Sequence, residues 1–143
     1  MTTAVLDASV AAKWSFPSAG ETLVDQAVRL LHSYTQGETR LIVPDIFWAE
    51  FGNIAWKGVR QGRWSRALAE RAVSAMLARE FPTVSSSTLL SQALTIAINF
   101  ERSVYDCLYV ALAISAKAPL ITADERLANA LAAHFAVKWL GSI

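Results

Sequence analysis

Four carboxylates stand alone in apolar surroundings. Asp7 is the only charge in residues 1–12, and Glu50 the only one from Ile46 to Trp56, beside Phe47, Trp48 and Phe51. Asp106 is the only charge from Ser103 to Ala116, and Asp124 follows the apolar pair Leu120-Ile121. An ionised carboxylate removed from water costs several kcal/mol unless something pairs with it. No basic residue is expected beside these acids. Gathered together they would repel: two unit charges at 4 Å interact by about 4 kcal/mol at an effective dielectric of 20. Such a group coexists only with raised pKa values or around a bound cation. All-oxygen ligands suit Mg²⁺ or Mn²⁺ with water completing the shell. A cation held there can lower the pKa of a bound water, orient it and offset negative charge on a substrate. Singly, each acid has a plainer use. Asp7 and Asp124 can cap helices, and Thr122-Ala-Asp-Glu125 and Ser103-Val-Tyr-Asp106 both read as helix starts. Glu50 fits that use least, because it lies beyond the first turn of its helix.

The elements that must position these acids alternate between strand and helix. Short apolar runs over residues 3–7, 40–43, 81–84, 119–122 and 137–140 read as strands. Helical spacing covers residues 8–14, 21–34, 44–60, 65–79, 88–100, 105–116 and 124–134. Phe16-Pro17 ends the first helix, Gly37 closes the second, and Ser65 caps the fourth. On 88–100, Leu89, Leu90, Ala93, Leu94, Ala97 and Ile98 form one apolar face, and 105–116 is apolar almost all round. This pattern predicts an α/β fold, a mostly parallel sheet of four or five strands between two helical layers. Asp7 and Asp124 then fall at strand C-terminal ends, the edge at which open parallel sheets bind ligands.

With 143 residues, 54% of them hydrophobic and 17% charged, the chain is expected to form a single domain, 1–143. One cysteine, Cys107, excludes an internal disulfide and fits a reducing cytoplasm, where it reads as a buried small hydrophobe. The uncharged stretch 81–100 contains nine Ser, Thr, Gln or Asn residues and Pro82, so no membrane span is expected.

Val5-Leu-Asp-Ala-Ser-Val10, Val43-Pro-Asp-Ile-Phe-Trp-Ala-Glu50 with Asn53, Tyr105-Asp-Cys-Leu-Tyr-Val-Ala-Leu112 and Leu120-Ile-Thr-Ala-Asp-Glu-Arg-Leu127 together resemble PIN-domain proteins. Within that superfamily they most resemble VapC toxins of type II toxin–antitoxin modules. The resemblance implies an Mg²⁺- or Mn²⁺-dependent endoribonuclease whose acidic site is Asp7, Glu50, Asp106 and Asp124. Asp7 and Asp106 are expected as core metal ligands, with Asp124 binding directly or through water and Glu50 assisting proton transfer. Ser9 and Thr122 match positions of supporting hydroxyls, and Asn53 lies one helical turn from Glu50. The resemblance also implies a homodimer held inactive by a small cognate antitoxin, in some assemblies as a hetero-oligomer. Two alternatives stay open. One is a PIN-like interaction module without catalysis; the other is a PIN nuclease acting in RNA processing, or on DNA, outside a toxin–antitoxin pair.

The formal net charge of +1 conceals a division. Residues 1–56 carry −3, residues 57–79 carry +5 and residues 80–143 carry −1. The basic segment holds Lys57, Arg60, Arg63 and Arg66, which could meet an RNA backbone or stack on bases, or form a solvated helical face. Gly58 and Gly62 are expected to bend the chain there. Of the large aromatics, Trp48 and Trp56 read as core positions, while Trp14, Phe16 and Trp64 near turns read as exposed. No phosphate-binding glycine loop and no serine-hydrolase elbow is present in the sequence. A phospho-receiver domain is disfavoured, because its acidic pair after the first strand and its Lys after the last have no counterpart here.

Overall fold

The computed structural model describes residues 1–16 and 21–143; Pro17, expected to end the first helix, lies outside them. Among the described residues, five strands and seven helices follow in chain order: β1 (Thr2–Leu6), α1 (Ala8–Ser15), α2 (Val24–Thr35), β2 (Thr39–Pro44), α3 (Ile46–Arg60), α4 (Arg66–Leu77), β3 (Thr83–Val84), α5 (Ser86–Phe100), α6 (Val104–Ala116), β4 (Leu120–Thr122), α7 (Glu125–Leu131) and β5 (Val137–Trp139). A 3₁₀ turn at Leu140–Ser142 ends the chain. The sheet order is β3-β2-β1-β4-β5 and every pairing is parallel. A parallel sheet must be covered on both faces, which is why Val5, Leu6, Leu41, Val43 and Leu120 are almost wholly buried.

The strand order reverses beside β1. The chain leaves β1 for β2 on one side and later fills β4 and β5 on the other. That reversal opens a crevice at the strand C-terminal ends, between β1 and β4. Asp7 directly follows β1, and Asp124 stands two residues beyond β4.

Helix α6 is the central helix. Cys107 to Ala113 are all buried, as an apolar-all-round helix requires, and the Cys107 thiol is pushed up to about 11 by burial, then by the neighbouring Asp106 charge. Helix α3 is clamped on one side by Phe47, Phe51, Ala55 and Gly58, all buried. Its other side, with Glu50 and Asn53, is thereby turned toward the crevice.

Several expectations about surface and core are corrected. Gly58 does not bend the chain; it lies inside α3, where a Cβ would meet the Trp64 ring at 1.8 Å. The turn is made at Gly62, whose φ of +71° suits glycine. The chain then folds back so that Trp64 stacks on Phe16 at 4.3 Å and donates to the Ala55 carbonyl at 3.1 Å. Phe16 is buried, and Trp14 is half-buried, donating to the Ala27 carbonyl at 2.7 Å. Trp56, expected in the core, is 52% exposed. The apolar face of α5 splits: Leu89, Ala93 and Ala97 are buried, while Leu90, Leu94 and Ile98 are exposed. Among the described residues no helix is long and apolar enough to cross a membrane.

Candidate functional site

The crevice holds a cleft of about 470 Å³ lined by Asp7, Ser9, Glu50, Asn53, Lys57, Asp106 and Asp124, with Tyr105 and Ile46 at its apolar walls. All four singled-out carboxylates are therefore brought together from four places spread over more than a hundred residues of sequence. The local folding explains each placement. Asp7 is the N-cap of α1, accepting from the Ser9 amide, and Asp124 is the N-cap of α7, accepting from the Leu127 amide at 3.1 Å. Ser103 caps α6 and so sets Asp106 in the first turn. The capping roles and the shared cleft coexist, because helix N-termini point into the crevice at the strand ends.

Asp7 is fixed most firmly. Its Oδ2 accepts from the Ser9 hydroxyl at 2.9 Å and from the Thr122 hydroxyl at 2.6 Å. Each hydroxyl oxygen in turn accepts from a backbone amide of the turn after β4, Ser9 Oγ from Ala123 at 3.0 Å and Thr122 Oγ1 from Asp124 at 3.0 Å. Two side chains thus tie the first acid to the loop that carries the fourth. Oδ1 keeps only a 3.5 Å contact from the Ser9 amide, which leaves it available. Burial raises the Asp7 pKa against the lowering effect of these hydrogen bonds, and Asp106 raises it further.

Glu50 and Asp106 are also raised. For Glu50 the main cause is burial; a hydrogen bond from Tyr109 opposes it, and Asp7 and Asp106 add to it. For Asp106 the main cause is again burial, opposed by Arg102 and reinforced by Asp124. Arg102 lies 3.5 Å from Asp106 Oδ2, one helical turn before it. This corrects the expectation that no base stands beside the acids. Arg102 and Lys57 against four carboxylates still leave the cleft with an excess of acidic groups.

The structure adds Tyr109 to this group. Tyr109 is buried and donates through its hydroxyl to Glu50 Oε1 at 2.6 Å. Its own ionisation is driven far upward by burial and by Asp7 and Glu50, so it remains a donor. In sequence it was one more apolar position in α6, and its partner lies 59 residues away. Asn53 lines the cleft with its amide exposed.

The basic segment divides. Lys57 lines the cleft. The Arg60 guanidinium lies 5.3 Å from the Trp56 ring and that of Arg63 lies 5.2 Å from the Trp64 ring. Arg66 pairs with Glu70 at 2.6 Å on the exposed face of α4. Among the described residues, no three His, Cys, Asp or Glu side chains are drawn together tightly enough to grip one ion directly.

Comparison with known proteins points in one direction. No curated protein sequence matches significantly. Solved structures match along nearly the whole chain. PAE2754 from Pyrobaculum aerophilum is 23% identical with a TM-score of 0.71, over 99% of this chain and 85% of that one. VapC20 from Mycobacterium tuberculosis, described as a sarcin–ricin loop cleaving toxin, is 20% identical with a TM-score of 0.66, over 92% and 95%. VapBC2 from Rickettsia felis, solved bound to a DNA fragment from its promoter, is 13% identical with a TM-score of 0.64, over 96% and 98%. At these identities the likeness is one of fold. The family model of the PIN domain matches residues 4–131, a span that begins in β1 and includes all four carboxylates. The chain therefore belongs to the PIN domain family.

Proposed function

We propose that this protein is a metal-dependent endoribonuclease acting as the toxin of a toxin–antitoxin pair. The observation that carries the reading is the cleft itself: four carboxylates, three with raised pKa values, held in one crevice at the strand ends of a PIN fold. Their mutual repulsion is a standing cost that a divalent cation would relieve. The donors fit Mg²⁺ or Mn²⁺, being all oxygen. Mg²⁺ keeps several of its own waters and takes only one or two carboxylates directly, which suits a cleft that does not close on a point. Asp7 and Asp106 would hold the ion, and Asp124 would support it directly or through water. When bound, the ion lowers the pKa of a water and offsets the charge on the phosphodiester.

The chain's own residues supply the rest. Ser9 and Thr122 hold Asp7 Oδ2 so that Oδ1 faces its task. Glu50, with its pKa raised, is suited to take a proton from the attacking water. Tyr109 keeps the Glu50 carboxylate in one orientation. Lys57 at the cleft rim meets the substrate's backbone. In-line attack by water leaves a 5′-phosphate and a 3′-hydroxyl. The test is to incubate the pure protein with RNA and Mg²⁺ and to examine the new ends. Fragments that an RNA ligase rejoins through a 5′-phosphate support hydrolysis by water, whereas 2′,3′-cyclic phosphate ends overturn it.

Tyr109→Phe keeps the ring and removes only the hydroxyl. A hydrogen bond to a charged group contributes about 1.5–3 kcal/mol. The turnover rate should fall roughly ten- to a hundredfold, with RNA affinity unchanged, in single-turnover kinetics. An equal loss in Glu50→Gln and in the double variant would show that Tyr109 acts through Glu50.

Replacing Arg60, Arg63 and Arg66 together by Gln should weaken RNA binding and make its salt dependence shallower, by about 0.7 in slope for each lost contact to a single strand. The expected loss is nearer two contacts than three, because Arg66 is already paired with Glu70. An unchanged slope removes the segment from the RNA surface. The partner half of the reading draws on the VapBC complexes among the structural neighbours. A small protein that co-purifies with the chain and suppresses cleavage would support it, and the same purification reports whether the chain is a homodimer in the cytoplasm of its host.

A further inference from the structure

Trp56 is more than half exposed, although removing an indole from water is among the more favourable burials a chain can make. Its place on α3 suggests a use. Ala49 and Asn53 line the acidic cleft. Trp56 and Arg60 stand at the seventh and eleventh positions beyond Ala49, so all four share one helical stripe that runs out of the cleft. Along the axis Trp56 lies about 9 Å from Glu50. On its far side the ring walls a shallow groove of about 400 Å³ between α3 and α4, bounded by Gly52, Ala55, Ala69 and Val73. A Cβ added at Gly52 would meet nothing within 4 Å, so the approach to the ring is open from that side. The Arg60 guanidinium is 5.3 Å from the ring, and Lys57, next to Trp56 in sequence, lines the acidic cleft.

We propose that Trp56 is a stacking platform for an unpaired nucleobase of the RNA, next to the scissile phosphate in the acidic cleft, with Arg60 taking the phosphate of the same nucleotide. The inference rests on the ribonuclease reading and sharpens it: the substrate at the cleft is single-stranded, because a paired base has no free face to offer. A flat aromatic face accepts any base, and a cation beside it holds the backbone. Arg60 now covers the ring as a planar cation; when a base takes that place, the guanidinium turns to the nucleotide's phosphate, which it can grip through two N–H groups. Glu70 also lines the groove but is paired with Arg66, so Arg60 beside the ring is the charge left to favour a nucleic acid over an acidic protein segment there. Trp56 is thus a binding and specificity residue, not a catalytic one.

The test pairs a protein variant with a substrate variant. Binding of a fluorescent single-stranded oligoribonucleotide is measured by anisotropy in the non-cleaving Asp7→Asn background. A second oligonucleotide carries one abasic position beside the cleavage site. With Trp56 present, the abasic change should weaken binding about tenfold or more. With Trp56→Ala, intact RNA should bind as weakly as the abasic RNA did, and the abasic change should then have no effect. Trp56→Phe, which keeps a flat ring, should recover most of the loss. Melting curves for all variants should coincide within a few degrees, because Trp56 is exposed. If Trp56→Ala binds both oligonucleotides as the parent does, the inference is overturned. If the abasic effect is present but the Asp7-containing protein cleaves no RNA under any divalent cation, the platform stands and the nuclease reading falls.

Discussion

Asp7→Asn should reduce RNA cleavage roughly a thousandfold and yet make the metal-free protein harder to unfold. The first half follows from charge. An amide cannot supply the negative charge that would hold a divalent cation, and losing such a contact forfeits several kcal/mol of transition-state stabilisation, each 1.4 kcal/mol being tenfold in rate. The second half follows from burial. Asp7 has its pKa raised in the folded protein, chiefly because burial penalises its charge. A raised acid binds more protons folded than unfolded. Its contribution is therefore least unfavourable below the ordinary carboxyl value of 3.8, and worsens as pH climbs from there toward the folded pKa. The full cost is reached once pH exceeds the folded pKa. Asn escapes it, since its carbonyl oxygen can take the place of Oδ2 and still accept from Ser9 and Thr122. A melting temperature a few degrees above the parent at pH 7, with the gap closing toward pH 4, is the expected record in calorimetry. Wild-type cleavage by this variant would remove Asp7 from the site. A lower melting temperature at pH 7 would mean that the hydrogen bonds from Ser9 and Thr122 need the charge.

The same conflict between charge and burial explains why the acids were legible in the sequence. An isolated carboxylate in an apolar run is rare without a purpose, so Asp7, Glu50, Asp106 and Asp124 stood out, and strand ends gave them a common edge. The strand–helix alternation was legible for a similar reason: a parallel sheet buried on both faces leaves continuous apolar runs, as at Val5-Leu6 and Leu120-Ile121. What stayed hidden were relations that depend on distance in space. Tyr109 looked like any aromatic in an apolar helix, and only the fold brings its hydroxyl to Glu50. Arg102 lies outside the apolar run that marks Asp106, and only the helical turn between them brings its guanidinium to that carboxylate. Trp56 and Trp64 exchanged roles because helical spacing identifies a face but not what covers it. The turn at Gly62 sends Trp64 back over Gly58 and leaves Trp56 outside. Leu90, Leu94 and Ile98 share a stripe on α5 that the periodicity assigned to the core together with its neighbours, whereas α6 covers only the Leu89–Ala93–Ala97 side.

Stripping divalent cations with EDTA should abolish cleavage, and returning Mg²⁺ or Mn²⁺ should restore it. The more searching result is in stability and pH. If Mg²⁺ binds the folded cleft alone, a concentration one hundred times its Kd should stabilise the protein by about 2.7 kcal/mol. That is a rise in melting temperature of roughly 5–10 °C for a chain of this size. Asp7→Asn and Asp106→Asn should each lose most of that gain, while Trp56→Ala should keep it. Protons compete with the cation for the same oxygens. Because burial first, and then the neighbouring acids, raise the Asp7, Glu50 and Asp106 pKa values, that competition begins at a higher pH than ordinary carboxylates would give. Mg²⁺ affinity, read by titration calorimetry, should therefore weaken steadily as pH falls from neutrality, and cleavage should fall with it. In Asp124→Asn the decline should move to lower pH, since removing that charge lowers Asp106. A catalytically idle PIN-like module could share the fold, and even bind the cation, but it would show no cleavage to follow the Mg²⁺ affinity down. Protonation of Glu50 also lowers cleavage as pH falls, so the decisive result is that, at a fixed low pH, added Mg²⁺ restores binding and cleavage together, which places the cation in the reaction.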